Sequence, residues 1–243
     1  MQKTIEGNFK NFYADNFGNL FLINANNQIK KLNENFDSVA VFNDVRRYGD
    51  IDALDVNNPL KILVYYKDFA TLVILDRFLN IRNTIDLRQN NILQASAAAQ
   101  SYDNNYWIFD EVENRLKKID ENGKLQQQSP DFRLLFDETF VPAVIIDRDG
   151  QLFLYSSKKG WMIFDYYGAY KQRVDINTWT DVDAANKKLT GRIAADFFVY
   201  NTGTLSLQKV SVNIDMTSAK KLVQQKNKFY LLNNAGLHVY SPQ

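Results

Sequence analysis

The sequence predicts an all-β fold, a six-bladed β-propeller closed by its own N-terminal strand. Three observations carry that reading: a composition rich in aromatic and β-branched residues, a strand pair that recurs six times, and a last unit one strand short. Of the 243 residues, 45% are hydrophobic and 14% aromatic, with Phe 17 and Tyr 13. Such residues suit a half-buried pleated surface better than a helix. Only 4 Pro and 10 Gly are present, so Asn and Asp must make most of the turns. Their short side chains bond nearby backbone and tolerate positive φ.

The first strand of the repeat reads LFLIN at 20–24, ILVYY at 62–66, YWIFD at 106–110, LFLYS at 152–156, FFVYN at 197–201 and FYLLN at 229–233. Its partner follows each time, as IKKLN at 29–33, LVILD at 72–76, LKKID at 116–120, WMIFD at 161–165, LSLQK at 205–209 and LHVYS at 237–241. Successive pairs lie about 40–46 residues apart, with a shorter last interval, which is the spacing of four-stranded propeller blades. Inner strands are expected at 11–15, 95–102 and 143–147 and around Val223; the small residues at 95–99 suit a narrow channel. Outer strands are expected at 38–42, 83–87, 124–128, 171–176 and 209–214. The blades then span 9–43, 50–88, 94–130, 140–176, 179–215, and 218–241 completed by 3–6, within a single domain of residues 1–243. The sixth unit ends directly after its third strand, and KTIE at 3–6 is its natural donor. Such a closure removes the open sheet edge that invites aggregation.

The repeat is interrupted in three places. Residues 44–49 bring Arg46, Arg47 and Tyr48; residues 131–142 bring Phe132, Phe136 and Phe140; residues 178–192 bring Trp179 and read as an insertion with a helical turn. Insertions between blade strands map to rim loops, where binding residues concentrate. These seven side chains are therefore the candidate partner-binding set. For the segment from Phe132 to Phe140, apolar cover between blades is the competing reading. Trp107 and Trp161 fall in strands and are expected in the core, whereas Trp179 is the surface candidate.

Net charge is +1, from 29 basic and 28 acidic residues, a balance that argues against a polyanion partner such as nucleic acid. Cysteine is absent and His238 is the single histidine. Thiol chemistry, disulfides and N/S-ligated metals are thereby set aside. His238, inside an outer-half strand, is expected to be packed or exposed, not part of a triad. Residues 147–150 (DRDG) carry a fragment of a calcium-loop pattern but no closing bidentate acid, so a hairpin turn is expected. No glycine-rich segment ends in a phosphate-binding Lys-Ser/Thr. The enzymatic alternative is a propeller hydrolase or carbohydrate binder, using Asp50, Asp52, Asp103, Asp181 or Asp183 at the channel mouth. No catalytic residue, metal or cofactor is assigned. The opening MQKTIE has no apolar h-region, and no apolar run reaches membrane-spanning length.

The blade sequences YADNFGNLFLINANNQIKKLN (13–33), VNNPLKILVYYKDFATLVILD (56–76) and SYDNNYWIFDEVENRLKKID (101–120) resemble an exported β-propeller family widespread in Bacteroidota. The run NPLKILVYY followed by Asp68-Phe69-x-Thr71 is its more specific part; residues 178–192 depart from the pattern. That family includes the plug subunit of the type 9 secretion translocon. The resemblance implies a periplasmic, non-catalytic protein, a signal peptide missing from this sequence, and a large outer-membrane β-barrel translocon as partner. A ligand sensor is the blander alternative.

Overall fold

The computed structural model describes residues 3–241, apart from the side chains of Val45 and Arg46. Strand β1 (Lys3–Glu6) precedes blade one, which comprises β2 (Phe9–Ala14), β3 (Leu20–Asn24), β4 (Ile29–Leu32) and β5 (Ser38–Phe42). After helix α1 (Val45–Tyr48) comes blade two, β6 (Ala53–Asp55), β7 (Lys61–Tyr66), β8 (Thr71–Asp76) and β9 (Ile81–Asp86). A 3-10 turn at Arg88–Asn90 leads to blade three, β10 (Ala95–Gln100), β11 (Tyr106–Asp110), β12 (Arg115–Ile119) and β13 (Leu125–Gln128). Helix α2 (Phe132–Phe136) leads to blade four, β14 (Val144–Arg148), β15 (Gln151–Ser156), β16 (Gly160–Asp165) and β17 (Tyr170–Val174). Blade five is β18 (Thr180–Ala185), β19 (Lys188–Ile193), β20 (Asp196–Asn201) and β21 (Ser206–Val210). Blade six is β22 (Lys221–Gln225), β23 (Lys228–Asn233) and β24 (Gly236–Tyr240), with β1 as its outer strand.

Each blade is a separate four-stranded antiparallel sheet in chain order, and the expected closure holds: Lys3 pairs with Val239 and Glu6 with Gly236. The hydrophobic clusters lie between blades. One joins Phe21 and Ile29 of blade one to Val64 and Val73 of blade two, and the next joins Leu63 and Tyr65 to Tyr106 and Ile108 of blade three. Alternate residues of one strand thus enter different clusters, and both faces of a middle strand are buried. That is why β7 and β8 read as continuous apolar runs instead of an alternation.

Turns follow one rule. A carboxylate or amide oxygen at the end of a strand accepts the N–H groups two and four residues on, at Asp15, Asn24, Asn33, Asp76, Asp120 and Asp165. The residue three on is left-handed each time: Gly18, Asn27, Phe36, Leu79, Gly123 and Gly168. The 147–150 segment is the expected hairpin turn, with Asp149 at φ 55° and Gly150 at φ 73° between paired Arg148 and Gln151.

Blade five corrects the sequence reading. Residues 178–192 are no insertion and hold no helical turn: they form the inner hairpin β18–β19. FFVYN at 197–201 is the third strand, not the second, and the expected outer strand at 209–214 is replaced by β21. The short last interval came from this one-strand displacement. The hairpin hides because its turn is Asn186–Lys187 (φ 51° and 60°) without glycine, and because Asp181 and Asp183 break the apolar pattern of β18.

Candidate functional site

Each inner strand begins where the chain crosses from the preceding blade and runs toward the first turn of its own blade. One side of the disc, the loop face, therefore carries the inter-blade connections, including α1, the 3-10 turn and α2. The opposite side, the turn face, carries the first and third turns of the blades. Between the inner strands lies a cavity of about 760 Å³.

Three of the five acids singled out from sequence, Asp52, Asp181 and Asp183, line this cavity, and Asp50 and Asp103 do not. Asp181 sits at a β-bulge with φ 53° and accepts from Arg192 Nε at 2.8 Å and from the Leu222 backbone at 2.9 Å. Asp183 is held at both oxygens by Arg148 Nη1, at 2.9 and 3.0 Å. The other terminal nitrogen of Arg148 donates to Asn57 Oδ1 at 2.7 Å, so this side chain reaches past blade three and bridges the turn-face end of the channel. Asp50 is exposed and held below the usual carboxylate range by hydrogen bonds from Asn27 and Lys10. Asp103 pairs with Lys118 Nζ at 2.7 Å. Asp52 alone among the cavity-lining trio has no ion-pair partner at hydrogen-bond range; burial raises its pKa, with Lys67 pulling the other way.

Sequence reasoning missed Lys221, Tyr13, Asp55 and Arg148. Lys221 Nζ donates to Asn11 Oδ1 and to the Phe12 carbonyl, both at 2.8 Å, and lies 3.8 Å from the centre of the Tyr13 ring. Burial pulls the Lys221 ammonium down to about 8, partly offset by Asp181, and pushes the Tyr13 phenol up to about 12. Burial likewise raises Asp55, although its carboxylate accepts from the Asn57 and Gln100 backbones. None of these residues belongs to a motif; only knowing which strands are innermost reveals them.

The sequence-derived partner set lies mostly in the core. Tyr48, Phe132, Phe140 and Trp179 are buried, and Phe136 is half-buried against Phe132 and Tyr170. For Phe132 and Phe140 the competing reading, cover between blades three and four, is the observed one. Trp179 is not a surface residue: it packs where Gly191 leaves room, since a Cβ there would lie 2.4 Å from the indole, and it stacks on Phe198. Arg47 is exposed and lies over the Tyr48 ring, and the Arg46 side chain falls outside the described residues. Trp107 and Trp161 are core residues, as expected. His238 is packed within blade six, its ring nitrogens meeting Thr4 and Asn233.

The other exposed large apolar side chains lie on both faces and on outer strands, the loop face carrying Phe69, Leu93, Val112, Leu134, Leu135 and Ile193. Six of them project from the turn face: Phe17, Leu60, Phe78, Tyr102, Tyr167 and Leu205, each between 57% and 66% exposed, from blades one to five. Tyr102 and Tyr166 meet edge-to-face across the blade three–four boundary.

No family model matches the sequence, and no curated protein does. Solved structures do match. A streptogramin B lyase superposes with a TM-score of 0.64 at 14% identity, over 94% of this chain and 78% of its own. The WD40 domain of Pan2 from Neurospora crassa gives 0.64 at 12% identity, over 97% and 76%. Virginiamycin B lyase from Staphylococcus aureus gives 0.62 at 13% identity, over 99% and 89%. At such identities the likeness is one of propeller fold alone.

Proposed function

We propose that this chain is a non-catalytic protein-binding propeller, and that it serves in the periplasm as the plug of a large outer-membrane β-barrel, the type 9 secretion translocon. The observation that carries the reading is the group of six exposed apolar tips on the turn face, contributed by five of the six blades. Isolated exposed apolar residues are ordinary, but several on one face favour a protein contact. Sealing a wide pore asks for a rigid disc and no chemistry, and radial packing between blades supplies the rigidity. A net charge of +1 suits docking to protein better than steering toward a polyanion. The resemblance of the blade sequences to the Bacteroidota family supplies the partner. Against the hydrolase alternative stands the engagement of Asp181 and Asp183 by arginines.

The test is affinity purification of the tagged chain from the envelope of a cell with a type 9 system. Wild-type protein should recover a very large outer-membrane barrel protein, and the double variant Phe17→Asp/Tyr167→Asp, with unchanged circular dichroism, should lose most of it. Recovery of no such barrel by the wild type overturns the plug assignment. Equal recovery by the variant overturns the turn face as the docking side.

A further inference from the structure

Arg148 is the last residue of β14, at the turn-face end of the channel, and its two terminal nitrogens bond opposite walls. Nη1 donates to both oxygens of Asp183 in blade five, at 2.9 and 3.0 Å, and to the Ala184 carbonyl at 3.3 Å. Nη2 donates to Asn57 Oδ1, just after the inner strand of blade two, at 2.7 Å. The inner strands follow one another round the ring in blade order, so blades two and five stand opposite each other in the circle of six. One planar guanidinium that bonds both must lie across the channel axis. Its supports are pinned on every side. Asp147, before it, accepts from Trp107 Nε1 and Ser101 Oγ of blade three, both at 2.9 Å. Asp149, after it, accepts the Asn186 backbone N–H of blade five at 2.6 Å. Asn57 is held by Asp55, whose carboxylate accepts the Asn57 and Gln100 backbone N–H groups at 2.9 and 2.8 Å.

We propose that the Arg148 side chain is a strap that seals the disc's own axial channel at the turn face. The loop-face mouth, where Asp52 and Ala143 are exposed, stays open, and the cavity of about 760 Å³ is a chamber entered from that side. The seal deepens the plug reading and rests on it for its purpose: a disc that blocks a pore while carrying an open hole on its axis leaks through that hole. The choice of residue fits the task. The rigid fork of arginine donates to two walls from one flat group, whereas the point charge of a lysine would be drawn to one of them. Asp183 compensates the charge, so the mouth closes without an unpaired ion on the axis. The two side chains are 28% and 41% exposed, which keeps the pair weak enough to open. With the backbone pinned on both sides, rotation of the Arg148 side chain is the motion that opens the mouth.

The chain has no cysteine, so one engineered thiol is an unambiguous reporter of access. Ala98→Cys places it on the channel wall two residues short of the turn-face end of β10, and Ala143→Cys places it at the loop-face mouth. The probe is a maleimide on polyethylene glycol, whose tail is too bulky to thread the channel from the far side. Its rate of attachment to the isolated full chain is read by gel shift, so no barrel is needed. Arg148→Ala should speed labelling of Ala98→Cys by about tenfold or more, as expected for losing the charge-assisted hydrogen bonds that hold the strap shut. Labelling of Ala143→Cys should not change. Asn57→Ala removes the far anchor from an exposed turn and should give an increase of several-fold, which keeps the test decisive if Arg148→Ala fails to fold. Equal labelling of Ala98→Cys with and without these substitutions overturns the seal. Equal acceleration of both thiols overturns it too, because the ring has then loosened instead of opening at one end. Failure of the wild type to recover a barrel sinks the plug reading and leaves the labelling result standing.

Discussion

The carboxylate of Asp15 accepts the backbone N–H groups of Phe17 and Asn19, both at 2.9 Å, and the Asn19 side-chain amide at 2.7 Å. It is 1% exposed, so water cannot replace it when it is removed. Asp15→Ala should destabilise the protein by about 2 kcal/mol, the cost of losing hydrogen bonds to a buried charged acceptor. Asp120 plays the same part in an exposed turn, where water repairs the loss, and its alanine variant should cost about half as much. Urea melts of the two variants check this; equal losses would show that burial does not set the strength of these turns. The same turn shows why sequence reading went as far as it did. Asp, Asn and Gly at the turn positions are legible, whereas Phe36 and Leu79 take the left-handed position against their intrinsic preference. Their side chains pack into or against the inter-blade clusters, which offsets a backbone cost of about 1–2 kcal/mol.

At the scale of the element, β1 is the decisive strand. It donates an edge to β24 over Lys3–Glu6, and Ile5 packs against the cluster between blades six and one. Deleting residues 1–7 uncovers the edge of β24 and unseals that cluster, a loss of about 3 kcal/mol from one apolar side chain and several ladder hydrogen bonds. For a chain of this size the melting temperature should fall by about 10 °C, measured by circular dichroism; an unchanged melt would mean the ring does not depend on its closure. This strand was legible because blade six ends one strand early and the segment KTIE at 3–6 remained unassigned. Blade five was not, because Asp181 and Asp183 interrupt the apolar run of its inner strand and its hairpin turn has no glycine. Those charges have structural work: Asp181 binds Arg192 and the start of β22, and Asp183 binds Arg148. The pattern that marks a strand was overridden by residues that tie blades together. The expectation of a surface position for Tyr48, Phe132, Phe140 and Trp179 failed for a related reason. Bulky side chains in an apparent insertion look like surface anchors until neighbouring blades are placed around them.

Across the whole molecule, polar side chains near the channel and the faces join every neighbouring pair of blades. Lys10 of blade one meets Asp50, Asp55 of blade two accepts from Gln100, and Asp147 of blade four accepts from Trp107 and Ser101 of blade three. Arg148 ties blade four to five, Asp181 ties five to six, and Lys221 ties six back to one. The last of these ties gives the ring a pH dependence whose sign is fixed. Lys221 faces Asp181 from β18 and Asn11, Phe12 and Tyr13 from β2. Its pKa in the folded ring, about 8, is below the ordinary 10.5, with burial the larger cause and Asp181 opposing. Below pH 8 both folded and unfolded chains carry the proton, and the folded state bears the full desolvation cost. Between about 8 and 10.5 the folded chain has released a proton that the unfolded chain still holds, so stability rises with pH across that window. Discounted for partial solvent contact, the relief is on the order of 2 kcal/mol. Lys221→Met keeps the stem and has nothing to titrate. The melting temperature of wild type minus that of the variant should therefore grow by about 5 °C from pH 7 to pH 10, whatever its starting offset. Taking the difference removes the contributions that wild type and variant share. A difference flat with pH would place the Lys221 ammonium at its ordinary value and remove the buried charge from the seam that closes the ring.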